Sequence, residues 1–492
     1  MRFITKLLTY CLSLTLLLAV SLQASAIKKP NFLFIWIDDL RAELGCYGAE
    51  HIISPHIDRL ADEGVIFDQA FCQEAICTVS RASLITGQRP NTNGVQRLSD
   101  NFRKKNPDAI TIMNHLSNHG YETIGMGKQL HHESENEWDA WFDVERKYKV
   151  GKYYAEEAKA GILELKKEAR AKGLKGLASF VYSLWDSTEI PNCDDNELHD
   201  GYMTDIALRE MDRMVELDQT FFMSVGFKKP HLPFVAPKKY WDLYNRRSIS
   251  VAENHFFPKD MPQHAKSNWG ELKNYRDIDP DAKEISSEKM LELTHGYYAC
   301  ISYVDAQIGR LMKGLKKKGL ANNTIVVLTS DHGFKLGEHK MWCKHTNFNI
   351  DLKVPLIVKR PGARNAGERS SGIVELIDLF PTFCDYADIA SPPTVEGKSI
   401  RGLIENTQTL GKRYAFSQYP SNAQGKYAMG YSLTDGEFRY TEWVNPNKGV
   451  DSKMLYNLVL DPSENVNISS KEEYSSKMAT YSKAIQSMKN AN

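Results

Sequence analysis

The chain has 492 residues, 42% of them hydrophobic and 25% charged, with only 19 prolines. This composition excludes a disordered or fibrous chain, and the length calls for a large domain plus a smaller one. Basic and acidic residues balance at 62 each. No basic tract breaks that balance, which excludes nucleic acid as an electrostatic partner.

The first 26 residues differ from the rest. "MRFITK" is a short basic start, "LLTYCLSLTLLLAVSL" an apolar core, and Ala24 to Ala26 a small-residue cleavage site. The pattern predicts a cleaved secretory signal peptide, because the apolar run is too short and too interrupted to span a bilayer. No later run predicts a membrane span, so the expected location is secreted or periplasmic. Seven cysteines follow the signal: Cys46, Cys72, Cys77, Cys193, Cys300, Cys343 and Cys384. Their spacing fits neither a zinc site nor a disulfide scaffold. Some pairing is expected after export, with at least one thiol left over, and Cys77 is the candidate for a separate role.

"NFLFIWI" (31–37) is a continuous apolar run, the mark of a strand buried on both faces. "SPHIDRLADEG" predicts a helix with Ser54 as N-cap, Pro55 at the first position and Gly64 as stop. The strand "VIFDQAF" and a short helix from Cys77 to Gly87 come next. "TIMNHLSNHG" reads as a helix and "YETIGMG" as a strand. A helix near 204–217 precedes the strand "FFMSVGF" (221–227). A long helix, 287–318, precedes "TIVVLTS" (324–330), and "VPLIVKR" (354–360) is another strand. Strands alternating with helices predict an α/β fold with a mostly parallel sheet and helices on both faces. After about residue 410 the runs shorten and predict a small antiparallel sheet, with a turn at "TDGEF" and a final helix over 470–490. The expected organisation is a catalytic domain over 27–409 and an α+β subdomain over 410–492. The polar stretches 145–200 and 245–285 read as surface insertions.

In an open parallel sheet, ligands bind beyond the carboxyl ends of the strands. Asp38 and Asp39 follow the first strand. Lys128 and His131 follow "YETIGMG", and His231 follows "FFMSVGF". Asp331 and His332 follow "TIVVLTS", with Lys344 soon after. Cys77 and Arg81 follow "VIFDQAF". Taken singly, each has an ordinary reading as a turn, a cap, a loop histidine, a buried thiol or a solvated charge. Together they bring two kinds of group to one edge. Asp38, Asp39 and Asp331 repel one another unless a cation lies among them, and hard oxygen ligands suit Ca²⁺ or Mg²⁺. Arg81, Lys128, Lys344, His131 and His231 form a cationic group suited to an oxyanion.

On these motifs, from Asn31 to about Pro361, the chain resembles the type I sulfatases of the alkaline phosphatase-like fold, in their iduronate-2-sulfatase-like branch. "LYNLVLDPSENVN" (455–467) also resembles that family's closing hairpin. The resemblance implies that a maturating (formylglycine-generating) enzyme oxidises Cys77 to formylglycine. One hydroxyl of the aldehyde hydrate would attack sulfur, and loss of a proton from the other would expel sulfate. Carried over residue by residue, Arg81 holds the hydrate. Asp38, Asp39, Asp331 and His332 ligate one Ca²⁺, with the modified Cys77 beside it. Lys128 and His131 contact the hydrate and the sulfate. His231 and Lys344 contact the sulfate on the leaving-group side, with His131 as base and His231 as acid, or the reverse. The stretch departs from the family at Val79, where Pro or Ala is usual.

The implied substrate is a sulfated carbohydrate, either a uronate 2-sulfate of a glycosaminoglycan or an algal polysaccharide such as ulvan. Its sugar is expected to be read by polar insertions that include 238–247 and the loop 91–105, where Arg97, Arg103, Lys104 and Lys105 have two readings, as partners of a uronate carboxylate or, for several of them, as a solvated face. Two alternatives stay open: a phosphatase or phosphonate hydrolase of the same superfamily, and a glycan-binding protein whose Cys77 remains a thiol.

Overall fold

The structure is a computed structural model that describes residues 29–131, 135–145, 152–423 and 425–490. The expected signal peptide lies outside the described residues. Among those described, no helix is long and apolar enough to cross a membrane.

Eight strands form the central sheet: β1 (Asn31–Ile37), β2 (Val65–Phe71), β3 (Glu122–Gly127), β4 (Ala140–Phe142), β5 (Phe221–Phe227), β6 (Thr324–Ser330), β7 (Leu356–Lys359) and β8 (Arg369–Glu375). Their order across the sheet is β8-β2-β7-β6-β1-β5-β3-β4. β1 lies at the centre, parallel to both β5 and β6. Only β7 runs against its neighbours β2 and β6, so the sheet is mostly parallel, as its sequence pattern predicts.

β1 is buried along its whole length because both faces of the sheet are covered. Leu33, Ile35 and Ile37 enter one core with the helices α1 (Pro55–Asp62), α4 (His199–Glu216) and α5 (Ser287–Lys317). Phe32, Phe34 and Trp36 enter a second core with α2 (Cys77–Thr86) and residues 379–383. Each such side chain contributes about 2 kcal/mol by leaving water. α3 (Glu156–Ala171) carries much exposed polar surface, as an insertion should.

A second sheet is antiparallel and consecutive: β9 (Ala415–Ala423), β10 (Lys426–Thr434), β11 (Phe438–Asn445) and β12 (Gly449–Asn457), with α6 (Ser475–Asn490) against it. The "TDGEF" turn joins β10 to β11, with Gly436 at φ 89°. The stretch 455–467 adds no further strand among the described residues, but it folds back on β12, where Ile468 N donates to Leu455 O and Leu455 N to Asn467 Oδ1, both at 2.9 Å. After β12, Asn457 Oδ1 accepts the amides of Val459 and Leu460, and the chain leaves as a loop whose Val466 bridges Lys259. None of the seven described cysteines is paired.

One cap differs from its sequence reading. Ser54 Oγ makes no capping bond to α1; it takes the amide of Gly45 at 3.1 Å and bonds to Asp58. The amides of His56 and Ile57 are instead accepted by Asp305 Oδ1 of α5, at 3.0 and 2.7 Å. A buried carboxylate from a distant helix therefore does the capping. Asp305→Ala leaves two amides orphaned and should cost about 2 kcal/mol, whereas Asp305→Asn keeps an acceptor oxygen and should cost less than half of that. Chemical denaturation of the two variants checks the ratio.

Candidate active site

The end of β1 and the end of β6 lie side by side, with Ile37 opposite Ser330. Asp38 and Asp39 therefore meet Asp331 and His332, and all four are buried. Asp39 takes a left-handed turn, at φ 63°. The amides of Asp39 and His332 both donate to Asp331 Oδ1 at 3.1 Å. The loop is thus wound around one carboxylate.

α2 enters from the second-core face and brings Cys77 to this cluster as its first helical residue. Cys77 Sγ lies 3.2 Å from His332 Nε2. One turn further on, Arg81 is fully buried. Its Nε donates to Asp331 Oδ2 at 2.8 Å, its Nη2 to Asp38 Oδ1 at 3.3 Å, and its Nη1 to the carbonyls of Lys128 and Gln129 at 2.6 and 3.1 Å. Its Cζ lies over the Trp36 ring, 4.4 Å from the ring centre. Lysine could not make this fork.

Lys128 Nζ pairs with Asp38 Oδ2. Gly127 allows the approach: it stands at φ 70°, and a Cβ there would lie 2.3 Å from Gly226 O and 2.1 Å from Met203 Sδ. The "GMG" run is the end of β3 and not the tight turn of its ordinary reading; the chain bends only after it, at Lys128 and Gln129. Lys344 Nζ lies 2.9 Å from both oxygens of Asp39. It is presented by a segment in which His339, Lys340, Cys343 and His345 all take positive φ, between 55° and 84°, a local strain that tends to gather at functional sites. His231 Nε2 lies 3.8 Å from Asp39 Oδ2 and 3.1 Å from Glu271 Oε1, while Nδ1 is 2.6 Å from Leu232 O. His131 is exposed, three residues beyond Lys128.

The charges are coupled. Burial alone would push the Asp38 carboxyl up, but Lys128, His231 and Arg81 outweigh it and hold Asp38 well below the usual carboxylate range. At Asp39 burial wins over Lys344 and His231, and the pull is upward. Burial also pushes the Cys77 thiol well up, against Lys128 and Lys344. As a thiol it is a poor nucleophile.

Two residues escape a sequence reading. Glu271, from the stretch 245–285 expected to be a surface insertion, binds His231 and also Lys344 at 3.0 Å. Trp36 is hidden in the β1 run as one more core residue. Arg103 goes the other way. Expected to read the sugar, it is consumed by Glu137 Oε2 at 2.6 Å, by Asn114 and by the carbonyls of Pro107 and Ala109. In 238–247, Lys239 pairs with Asp195 at 2.7 Å and Arg246 Nε donates to His295 at 3.1 Å.

A family model described as sulfatase matches residues 30–389, and one described as N-sulphoglucosamine sulphohydrolase, C-terminal, matches 337–491. The chain is 31% identical to iduronate 2-sulfatase of Homo sapiens, over 89% of this chain and 90% of that protein. It is 25% identical to an ulvan-active sulfatase of Formosa agariphila, over 91% and 78% respectively. In fold it is similar to a phosphonate monoester hydrolase of Agrobacterium radiobacter, with a TM-score of 0.75 at 20% identity, over 94% of this chain and 95% of that one.

Because Arg81 bridges two buried carboxylates, Arg81→Lys should destabilise the chain by about 3 kcal/mol and abolish turnover. A urea titration and a sulfate-release assay on the same preparation measure both effects.

Proposed function

The chain belongs to the sulfatase family, and from that premise we propose that it removes sulfate from a sulfated carbohydrate, using a formylglycine made from Cys77 and one Ca²⁺. The observation that carries the reading is the setting of Cys77. A buried thiol at a helix start stands beside a carboxylate cluster that is paired with three cations, Arg81 and Lys344 buried and Lys128 half-buried.

The donor set fits a hard divalent cation. Ligand atoms of Asp38, Cys77 and Asp331 lie within 4.8 Å of one another, and so do those of Asp39, Cys77 and His332, all buried. Three carboxylates and one imidazole suit Ca²⁺ by oxygen content. Asp38, Asp39, Asp331 and His332 would hold it, beside the modified Cys77. There it would supply Lewis-acid polarisation of the sulfate and of the nucleophile. The formylglycine hydrate would supply the attacking hydroxyl, which the unconverted thiol, held protonated by burial, does not.

The chain's own residues account for the remaining charge. Lys128 and Lys344 face the same centre from opposite partners, Asp38 and Asp39, and can meet the sulfate oxygens as charge builds on them. Arg81 fixes the loop carbonyls of Lys128 and Gln129 and keeps α2 in register with the acids. In the net reaction the bond from sulfur to the sugar oxygen breaks. His231 gives a proton to that oxygen, water supplies the oxygen that completes sulfate, and His131 takes up the remaining proton.

For the substrate, the similarity to iduronate 2-sulfatase supports a uronate 2-sulfate, and the ulvan-active relative supports an algal polysaccharide as the other candidate. Residues 1–26 as an export signal, 27–409 as catalytic domain, 410–492 as subdomain and a maturating enzyme as partner belong to the same reading.

Mass spectrometry of the tryptic peptide ending at Arg81, from protein exported by a host that modifies sulfatases, should show an aldehyde at residue 77. An intact thiol with no sulfate release, unchanged in Val79→Pro, would instead make the chain a glycan-binding protein. Stringent chelation should lower sulfate release at least 100-fold, with recovery on adding Ca²⁺, as expected for a catalytic metal. Undiminished release after chelation would sink the metal assignment.

A further inference from the structure

One carboxylate in the site has no part in the chemistry described so far. Glu271 lies on a short helix, Gly270–Lys273, that buries Leu272. Its Oε1 is 3.1 Å from His231 Nε2 and 3.0 Å from Lys344 Nζ. Its Oε2 is 2.9 Å from the same ammonium. Two segments distant in sequence, those of His231 and Lys344, therefore converge on one side chain.

The hydrogen-bond geometry of His231 gives this contact a direction. Nδ1 lies 2.6 Å from the carbonyl of Leu232. A carbonyl only accepts, so Nδ1 donates there and is committed. The other nitrogen faces a carboxylate oxygen. A lone pair at that distance would be repelled, whereas an N–H is held. The backbone fixes the imidazole on one side and Glu271 fixes it on the other, with Nε2 as the edge that presents a proton. Lys344 is only 3% exposed and lies between two carboxylates, those of Asp39 and Glu271. Burial alone would push the Glu271 carboxyl up, but Lys344 and then His231 hold it well below the usual carboxylate range, so it remains charged at neutral pH.

We propose that Glu271 is a positioning residue for leaving-group departure, holding the Nε2–H edge of His231 and the ammonium of Lys344 together on the side from which the sugar oxygen leaves. The proposal rests on the sulfatase reading and on His231 as the acid. Glu271 takes no part in bond making. It acts through His231: the Nε2–H that Glu271 holds in the resting site passes to the sugar oxygen, which becomes the stronger base as the bond to sulfur breaks.

The test compares leaving groups. A sugar alkoxide is a poor leaving group and needs the proton, whereas 4-nitrophenolate leaves with little help. Glu271→Gln keeps the size of the side chain and removes the charge. It should lower kcat for a 2-O-sulfated uronate disaccharide or sulfated ulvan oligosaccharide by about 100-fold, the scale of a general-acid contribution. For 4-nitrophenyl sulfate the loss should be several-fold smaller than that. Glu271→Asp should recover part of the sugar-sulfate rate by restoring a carboxylate. A purely structural ion pair would lower both rates by the same factor, and that result, with the wild type active, overturns the positioning role alone. Failure of the wild type to cleave any sulfate ester overturns the sulfatase reading itself. Thermal melting of both variants within a few degrees of wild type keeps the comparison free of unfolding.

Discussion

Three carboxylates are buried at the ends of β1 and β6, and their mutual repulsion is the constraint around which this site is arranged. Arg81 answers it most directly. Its guanidinium spans Asp331 and Asp38 while it lies over Trp36. Removing either partner of such a buried pair leaves an uncompensated charge, a penalty of about 3–5 kcal/mol. The arrangement also sets geometry. Arg81 is one helical turn from Cys77, so the ion pair that neutralises the acids also places the thiol against His332. The same guanidinium takes two carbonyls from the Lys128 turn, and that turn is possible only because Gly127 and Gly226 let two backbones touch.

The site divides into two sides by the origin of its parts. One side is built from strand ends and α2: Asp38, Asp39, Asp331, His332, Cys77, Arg81 and Lys128. These are rigid elements of the central sheet and its covering helix. The other side comes from the connecting segments: His231 after β5, Lys344 in a strained segment, and Glu271 from a short helix in a polar excursion. Bond-making chemistry suits the rigid side, where positions must hold to fractions of an ångström. Recognition of a variable leaving group suits the loop side.

The antiparallel sheet supports both sides from behind. The amide of Gln418 donates to Gln73 O at 2.8 Å, four residues before Cys77. Asn347 Nδ2 donates to Gly430 O at 3.0 Å, and Glu464 accepts the amide of Asn349 at 2.6 Å, close after Lys344. Arg439, fully buried between the two layers, donates to Asn349 Oδ1 at 3.0 Å. The C-terminal region therefore buttresses the segments that carry Cys77 and Lys344.

The sequence by itself determined the alternation of buried strands and helices, and with it the edge where function gathers. A doubly covered parallel strand must be apolar throughout and must end in a polar turn, so "NFLFIWI" followed by Asp38-Asp39 is legible without coordinates. The same holds for Asp331-His332 after "TIVVLTS" and for Cys77 four residues before Arg81. What only the tertiary structure decided is which polar groups spend their hydrogen bonds on one another. Asp305 caps α1 in place of Ser54. Arg103 is saturated by Glu137 and the backbone, and so is withdrawn from the surface charge it appeared to offer. Glu271, in a stretch with no periodicity, joins His231 and Lys344. Local sequence records a side chain's capacity to bond, whereas its partner is chosen by burial, which brings together residues tens to hundreds of positions apart and forces each buried charge to find its complement.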